Sequence, residues 1–149
     1  MSRARIAVAF DFGLRRIGVA VGDTLTATAA PHATLPHHAE APDWPAIDRV
    51  VKLLGPDLLV VGAPYNDDGS PSRIAALADA FAAQLAGRYG LTVERADERF
   101  SSTAASSLLR EQRATGQRRR AVRKGDIDSA AAAVLLGSWL EQNRDEGRS

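Results

Sequence analysis

Residues 57–64 read DLLVVGAP, a continuous apolar run closed by glycine and proline, and no other stretch restricts the fold as much. A half-buried strand alternates apolar and polar positions, so a strand without alternation is covered on both faces. Such a strand belongs to an open sheet between helices, which puts the chain in the α/β class. The flanking sequence agrees. Trp44, Ile47, Val50, Val51 and Leu54 recur at helical spacing and stop at Gly55-Pro56. Beyond the apolar run, Ser70-Pro71 predicts a helix start, and Ile74, Leu77, Ala78, Phe81 and Leu85 carry an apolar stripe towards Gly87 and Gly90. Residues 91–98, LTVERADE, read as the next strand. A helix between successive strands implies parallel, right-handed crossovers.

The N-terminal part differs. Residues 5–12 and 15–22 are β-rich runs separated by Gly13-Leu14, a spacing that predicts an antiparallel hairpin. A third short strand is expected over 25–30, after which Pro31, Pro36, Pro42 and Pro45 predict a loop to about residue 43. At the other end, Ser101 or Ser102 caps a helix to about residue 112, and a last helix is expected from Asp126, its N-cap, to about Glu141. The sum is a single domain over 1–149, three-layered, with a mixed five-stranded sheet (an antiparallel meander plus parallel strands) and about four helices.

Acidic residues stand where chemistry needs them. Asp11 sits inside the apolar strand IAVAFDF, where a carboxylate costs several kcal/mol (roughly 2–7 for a neutral polar group, more for a charge) unless paired or used. Asp97 and Glu98 end the last strand, and Asp128 falls in the expected first turn of the final helix. Three elements thus each deliver an acid at an end. Strand carboxyl ends in such sheets form one edge where sites assemble, and hard oxygen donors suit Mg²⁺ or Mn²⁺. Two ions roughly 3.5–4 Å apart would serve phosphodiester cleavage. Each acid also has a structural reading: Asp11 as acceptor for hairpin N–H groups, Glu98 and Asp97 as ion-pair partners of Arg99, Asp128 as a charge favouring a helix N-terminus.

Charge is uneven along the chain. The net charge is +1, yet residues 110–124, REQRATGQRRRAVRK, carry seven basic side chains against one acid. A flexible basic segment over 113–125 beside a metal site would grip a phosphate backbone without reading sequence, although a solvated basic loop has the same composition. Other chemistries are missing their residues. The chain contains no cysteine, so there is neither a disulfide framework nor a thiolate metal site, which favours a reducing compartment. His32, His37 and His38 fall in the proline-rich stretch without partners for a zinc set and read as surface loop residues. Neither a G-x-S-x-G elbow nor a GxxxxGK[ST] phosphate loop occurs. No signal-peptide pattern and no apolar run of about 18 residues is present, so the expectation is a soluble, cytoplasmic protein with no membrane contact.

Four pieces, FDFGLRRIGVAVGD at 10–23, VVGAPYNDDG at 60–69, DERFSS at 97–102 and KGDIDSAAAAVLL at 124–136, resemble the YqgF (RuvX) family, whose members are described as pre-16S rRNA nucleases and as Holliday junction resolvases. The resemblance implies a ribonuclease H-like fold and a two-metal nuclease in which Asp11, Glu98 and Asp128 are catalytic ligands of Mg²⁺ or Mn²⁺. Arg16, Arg99, Arg118, Arg119, Arg120, Arg123 and Lys124 are the expected substrate contacts. The chain departs from the family's Leu-Pro-Leu-Asn-Met-like run at Ala63–Asp68, and has Ala104 near a position where an acid is common. The expected partner is structured RNA, as at the 5′ end of pre-16S rRNA in pre-ribosomal particles, with branched DNA as the second candidate and a monomer or weak dimer as the expected state. Two other readings stay open. The DFG hairpin also fits the sugar kinase and actin ATPase superfamily, which requires two such domains, and the basic segment fits a non-catalytic RNA-binding module.

Overall fold

The computed structural model describes residues 5–13, 15–37, 41–63, 73–97 and 124–143. Its elements are β1 (Ile6–Phe12), β2 (Arg16–Asp23), β3 (Thr28–Pro36), α1 (Trp44–Leu54), β4 (Leu58–Ala63), α2 (Arg73–Tyr89), β5 (Thr92–Asp97) and α3 (Lys124–Asn143). The sheet order is β3-β2-β1-β4-β5. β1 pairs antiparallel with β2, and β2 with β3, while β4 runs parallel to both β1 and β5. The mixed sheet is therefore as expected. Three helices fall within the described residues; the helix expected from Ser101 or Ser102 to about residue 112 lies outside them, as do Ser70-Pro71 and residues 113–123 of the basic segment.

Strand alternation divides the core in two. On one face Val8, Phe10, Phe12, Ile17, Val19, Leu59 and Val61 pack against Ile47 and Val50 of α1 and Ala78, Phe81, Ala82 and Leu85 of α2. Phe81 is central, with ring centroids of Phe10, Phe12 and Trp44 at 5.6, 5.2 and 5.6 Å. On the other face Ala7, Ala9, Ala20, Leu58 and Val60 meet Ala132, Leu135, Leu136 and Leu140 of α3. Burying both faces is why residues 58–61 are apolar without alternation.

Local signals explain the helix ends. The Asp43 side chain accepts from the Ala46 N–H at the start of α1, and Gly55, at φ +57°, donates its N–H to the Val51 carbonyl at its end. The exposed ends of α1 and α2 are tied together. Arg88 donates to Asp48 through Nε at 3.0 Å and Nη2 at 2.9 Å, lies 4.9 Å over the Trp44 ring, and shares the carboxylate with the Tyr89 hydroxyl. Hydrogen bonds from Arg88 and Tyr89 hold the Asp48 carboxyl down at about 2, and burial together with the bond to Asp48 pushes Tyr89 up to about 12.

Two boundaries differ from the sequence reading. β3 runs through Pro31 to Pro36 where a loop was expected after residue 30. It is an edge strand, and an edge tolerates missing N–H donors that a central strand does not. The register shifts between Val19 and Ala20, which pair with Ala33 and Pro31, so His32 is the extra residue of a bulge. At the C-terminal end α3 begins at Lys124. Asp126 is thus its third residue rather than an N-cap, Asp128 lies in the second turn rather than the first, and the last two residues of the 113–125 segment are helical.

Candidate active site at the carboxyl edge of the parallel strands

β1, β4 and β5 are mutually parallel, so their carboxyl ends form one edge. Asp11, the penultimate residue of β1, is directed by the alternation Ala7, Ala9, Asp11 to the α3 face. Its register partners are Gly18 on one side and Gly62 on the other, so the two positions directly opposite it carry no side chain. It is half-buried and has a polar or electrostatic partner.

Gly18 brings the second acid to the same place. A Cβ at Gly18 would lie 2.0 Å from the Asp128 carbonyl oxygen and 3.1 Å from the Ser129 nitrogen, an approach only glycine permits. The second turn of α3 therefore rests directly on the residue paired with Asp11. Arg16, two residues earlier on the same face of β2, donates from Nε to Asp128 Oδ2 at 2.5 Å. The pair is partly open, with side chains 33% and 30% exposed.

The hairpin that carries Asp11 and Arg16 is held by its own turn and by His37, the residue after β3. Gly13 donates its N–H to the Arg16 carbonyl, and His37 donates its own to Arg15. His37 Nε2 lies 2.7 Å from the Gly13 carbonyl oxygen, which requires Nε2 to carry the proton, and its ring meets Phe12 edge-on at 5.5 Å. His37 Nδ1 is buried with no hydrogen-bond partner among the described residues. His37 lies just past β3, outside the strands as expected, but it is half-buried rather than on the surface; the prolines that suggested a loop gave no sign of its contact with Gly13. His32 is exposed and His38 lies outside the described residues.

Of the expected site, the structure pairs Arg16 with Asp128 and seats the Asp128 backbone on Gly18, the register partner of Asp11. Glu98, Arg99, Arg118, Arg119, Arg120 and Arg123 lie outside the described residues, and Lys124 is described only as the first residue of α3. Arg16, expected at substrate, is engaged with Asp128. Among the described residues no three acidic or histidine side chains converge on one point. The donors that are described are carboxylate oxygens on adjoining elements, with glycines at 18 and 62, and this donor set fits a hard divalent cation such as Mg²⁺ or Mn²⁺. β5 carries Glu94 and Ala96 beside α3, and its strand ends at Asp97, one residue before Glu98.

The family model for RuvX, described as Holliday junction resolvase, matches residues 5–142. The chain belongs to the RuvX family. Relatives carrying the name "Putative pre-16S rRNA nuclease" include one from Hahella chejuensis, 44% identical over 93% of this chain and 85% of the relative. Another, from Pseudomonas putida, is 40% identical over 96% of this chain and 99% of the relative. Among solved structures, this RuvX chain is similar to Thermus thermophilus RuvC in complex with a Holliday junction substrate (TM-score 0.53, 14% identity, 93% and 95% of the two chains). It is also similar to Fowlpox virus resolvase with its Holliday junction DNA (TM-score 0.53, 14% identity, 92% and 97%). At such identities the likeness concerns the fold, which is ribonuclease H-like. Among the described residues, no helix of the RuvX chain is long and apolar enough to cross a membrane.

Proposed function

We propose that the chain is a divalent-metal-dependent nuclease that acts in the cytoplasm on the 5′ end of pre-16S rRNA, within pre-ribosomal particles. The observation that carries this is the seating of Asp128 on Gly18, the register partner of Asp11, at the carboxyl edge of the parallel strands. The names of the relatives supply the substrate. Mg²⁺ or Mn²⁺, with two ions bound, would supply an activated water and stabilise the leaving oxygen.

The chain's own residues have separable tasks. Asp11 would hold the ions from the central strand of the sheet, Asp128 would complete the set from α3 and help orient the water, and Glu98 would hold one ion. Arg123 and Lys124 neutralise the scissile phosphate, while Arg99, Arg118, Arg119 and Arg120 hold neighbouring phosphates, which makes binding salt-sensitive.

Cleavage of a pre-16S 5′ fragment by the purified protein in Mg²⁺ or Mn²⁺ tests the reading. Asp11→Asn is expected to lower the rate by about a hundredfold or more while the protein stays folded; unchanged cleavage would end the assignment. The family's description as a resolvase favours a second reading in which the same carboxylates cut branched DNA. A four-way junction assayed in parallel separates the two. Salt-sensitive RNA binding that survives loss of all three acids, without cleavage of either substrate, identifies a non-catalytic module instead.

A further inference from the structure

Arg16 binds one of the two described carboxylates proposed above as metal ligands. Its Nε sits 2.5 Å from Asp128 Oδ2, so a cation already occupies an oxygen that a divalent ion would claim. The backbone of Asp128 is held against Gly18, so only a rotation of its side chain separates the carboxylate from Arg16. Arg16 stands on the strand next to Asp11 and on the same face. A positive charge there offsets the negative charge of Asp128, whose backbone rests on the register partner of Asp11. The pair is also easily broken. Both side chains are about one-third exposed, and ion pairs with that access to water contribute little, whereas a divalent ion offers the same oxygen twice the charge.

We infer that Arg16 is a placeholder cation. It neutralises Asp128 in the metal-free protein, competes with the divalent ion for Oδ2, and is displaced by it, so that the guanidinium becomes available to a substrate phosphate only once the site is loaded. The inference rests on the metal-dependent reading above and concerns its regulation: phosphate capture is coupled to metal occupancy. Arg16 is a positioning residue in the metal-free state, and its planar fork suits the later phosphate contact.

A structural strut and a placeholder predict opposite signs. Titration calorimetry with Mn²⁺ on the full chain, after thermal melting has shown each variant folded, compares wild type with Arg16→Gln and Arg16→Lys. The placeholder predicts that Arg16→Gln binds Mn²⁺ about threefold to fivefold more tightly, with Arg16→Lys close to wild type. Unchanged or weaker binding by Arg16→Gln overturns the inference and leaves the metal reading standing, whereas no Mn²⁺ binding by the wild type overturns both. A second measurement needs no variant. In ¹⁵N-labelled wild-type protein, saturating Mg²⁺ should shift the Arg16 Nε–Hε resonance as Asp128 is released. A resonance unmoved while backbone signals of Asp11 and Asp128 report Mg²⁺ binding overturns the inference.

Discussion

In β1 and β2 the two faces of the sheet are built from different residue sizes, whereas β4 places large residues on both, Leu59 and Val61 on one and Leu58 and Val60 on the other. Under α1 and α2 the strands present Phe10, Phe12, Ile17 and Val19, all at most 5% exposed; under α3 they present Ala7, Ala9, Gly18, Ala20 and Gly22. Large side chains bury much apolar area and hold the helices through many adaptable contacts. Small ones bring helix backbone close to strand backbone, leaving little freedom of placement. The first arrangement serves stability, the second serves position, and both candidate metal ligands described by the structure lie on the second face.

The contrast can be broken from the stable side first. Phe81→Ala removes a ring that touches Phe10, Phe12 and Trp44 and should cost about 3–5 kcal/mol, lowering the melting temperature by roughly 10 °C. Mn²⁺ affinity measured well below that temperature should stay within about twofold of wild type. A large loss of affinity in a folded variant would show that the two faces are not independent.

On the α3 face, paired substitutions sharpen the comparison. Alanine at Gly18 drives a Cβ into the backbone of Asp128, whereas at Gly22 it meets the ends of Leu136 and Leu140 at 2.9 Å and the Thr28 carbonyl oxygen at 2.8 Å. Gly18→Ala should cost about 3 kcal/mol and Gly22→Ala about 1–2, by denaturant unfolding. Only Gly18→Ala should abolish cleavage in the protein that remains folded, since it lifts the Asp128 turn away from Asp11. Equal activities in the two variants would show that closeness at Gly18 has no part in the chemistry.

The smallest effect lies where α1 meets α2. Asp48 titrates at about 2 in the folded protein, below its usual 3.8, so its contribution to stability is present above about pH 3.8 and disappears as pH falls through about 2. Melting curves of wild type and Asp48→Asn should therefore differ slightly at pH 5 and converge towards pH 2. The difference is small because the pair is exposed. A gap that widens on acidification would reverse the assignment.

Sequence was most legible where periodicity is strong. The apolar run at 58–63, the stripes of α1 and α2 and the first hairpin follow from spacing and turn residues, and the strand position of Asp11 stood out as a polar break in an apolar run. The prolines of β3 misled because the rule that excludes them from strands holds for central ones, and an edge position is a property of the whole sheet. Asp128 and Arg16 are 112 positions apart; nothing local marks them as partners, and only the fold pairs them. The same is true of His37 and Gly13. Glu98 and the arginines before α3 lie outside the described residues, so their place in the site still rests on sequence.

β3 has one further consequence. As the outermost strand it offers a row of backbone groups to any other chain, yet two of its nine positions are proline and its line is broken by a bulge at His32. Such an edge is a poor template for adding a strand. If two copies meet to face a symmetric substrate, continuing the sheet across the β3 edge is the route the sequence opposes, and recognition of a second copy falls to the opposite edge at β5 or to helices and loops.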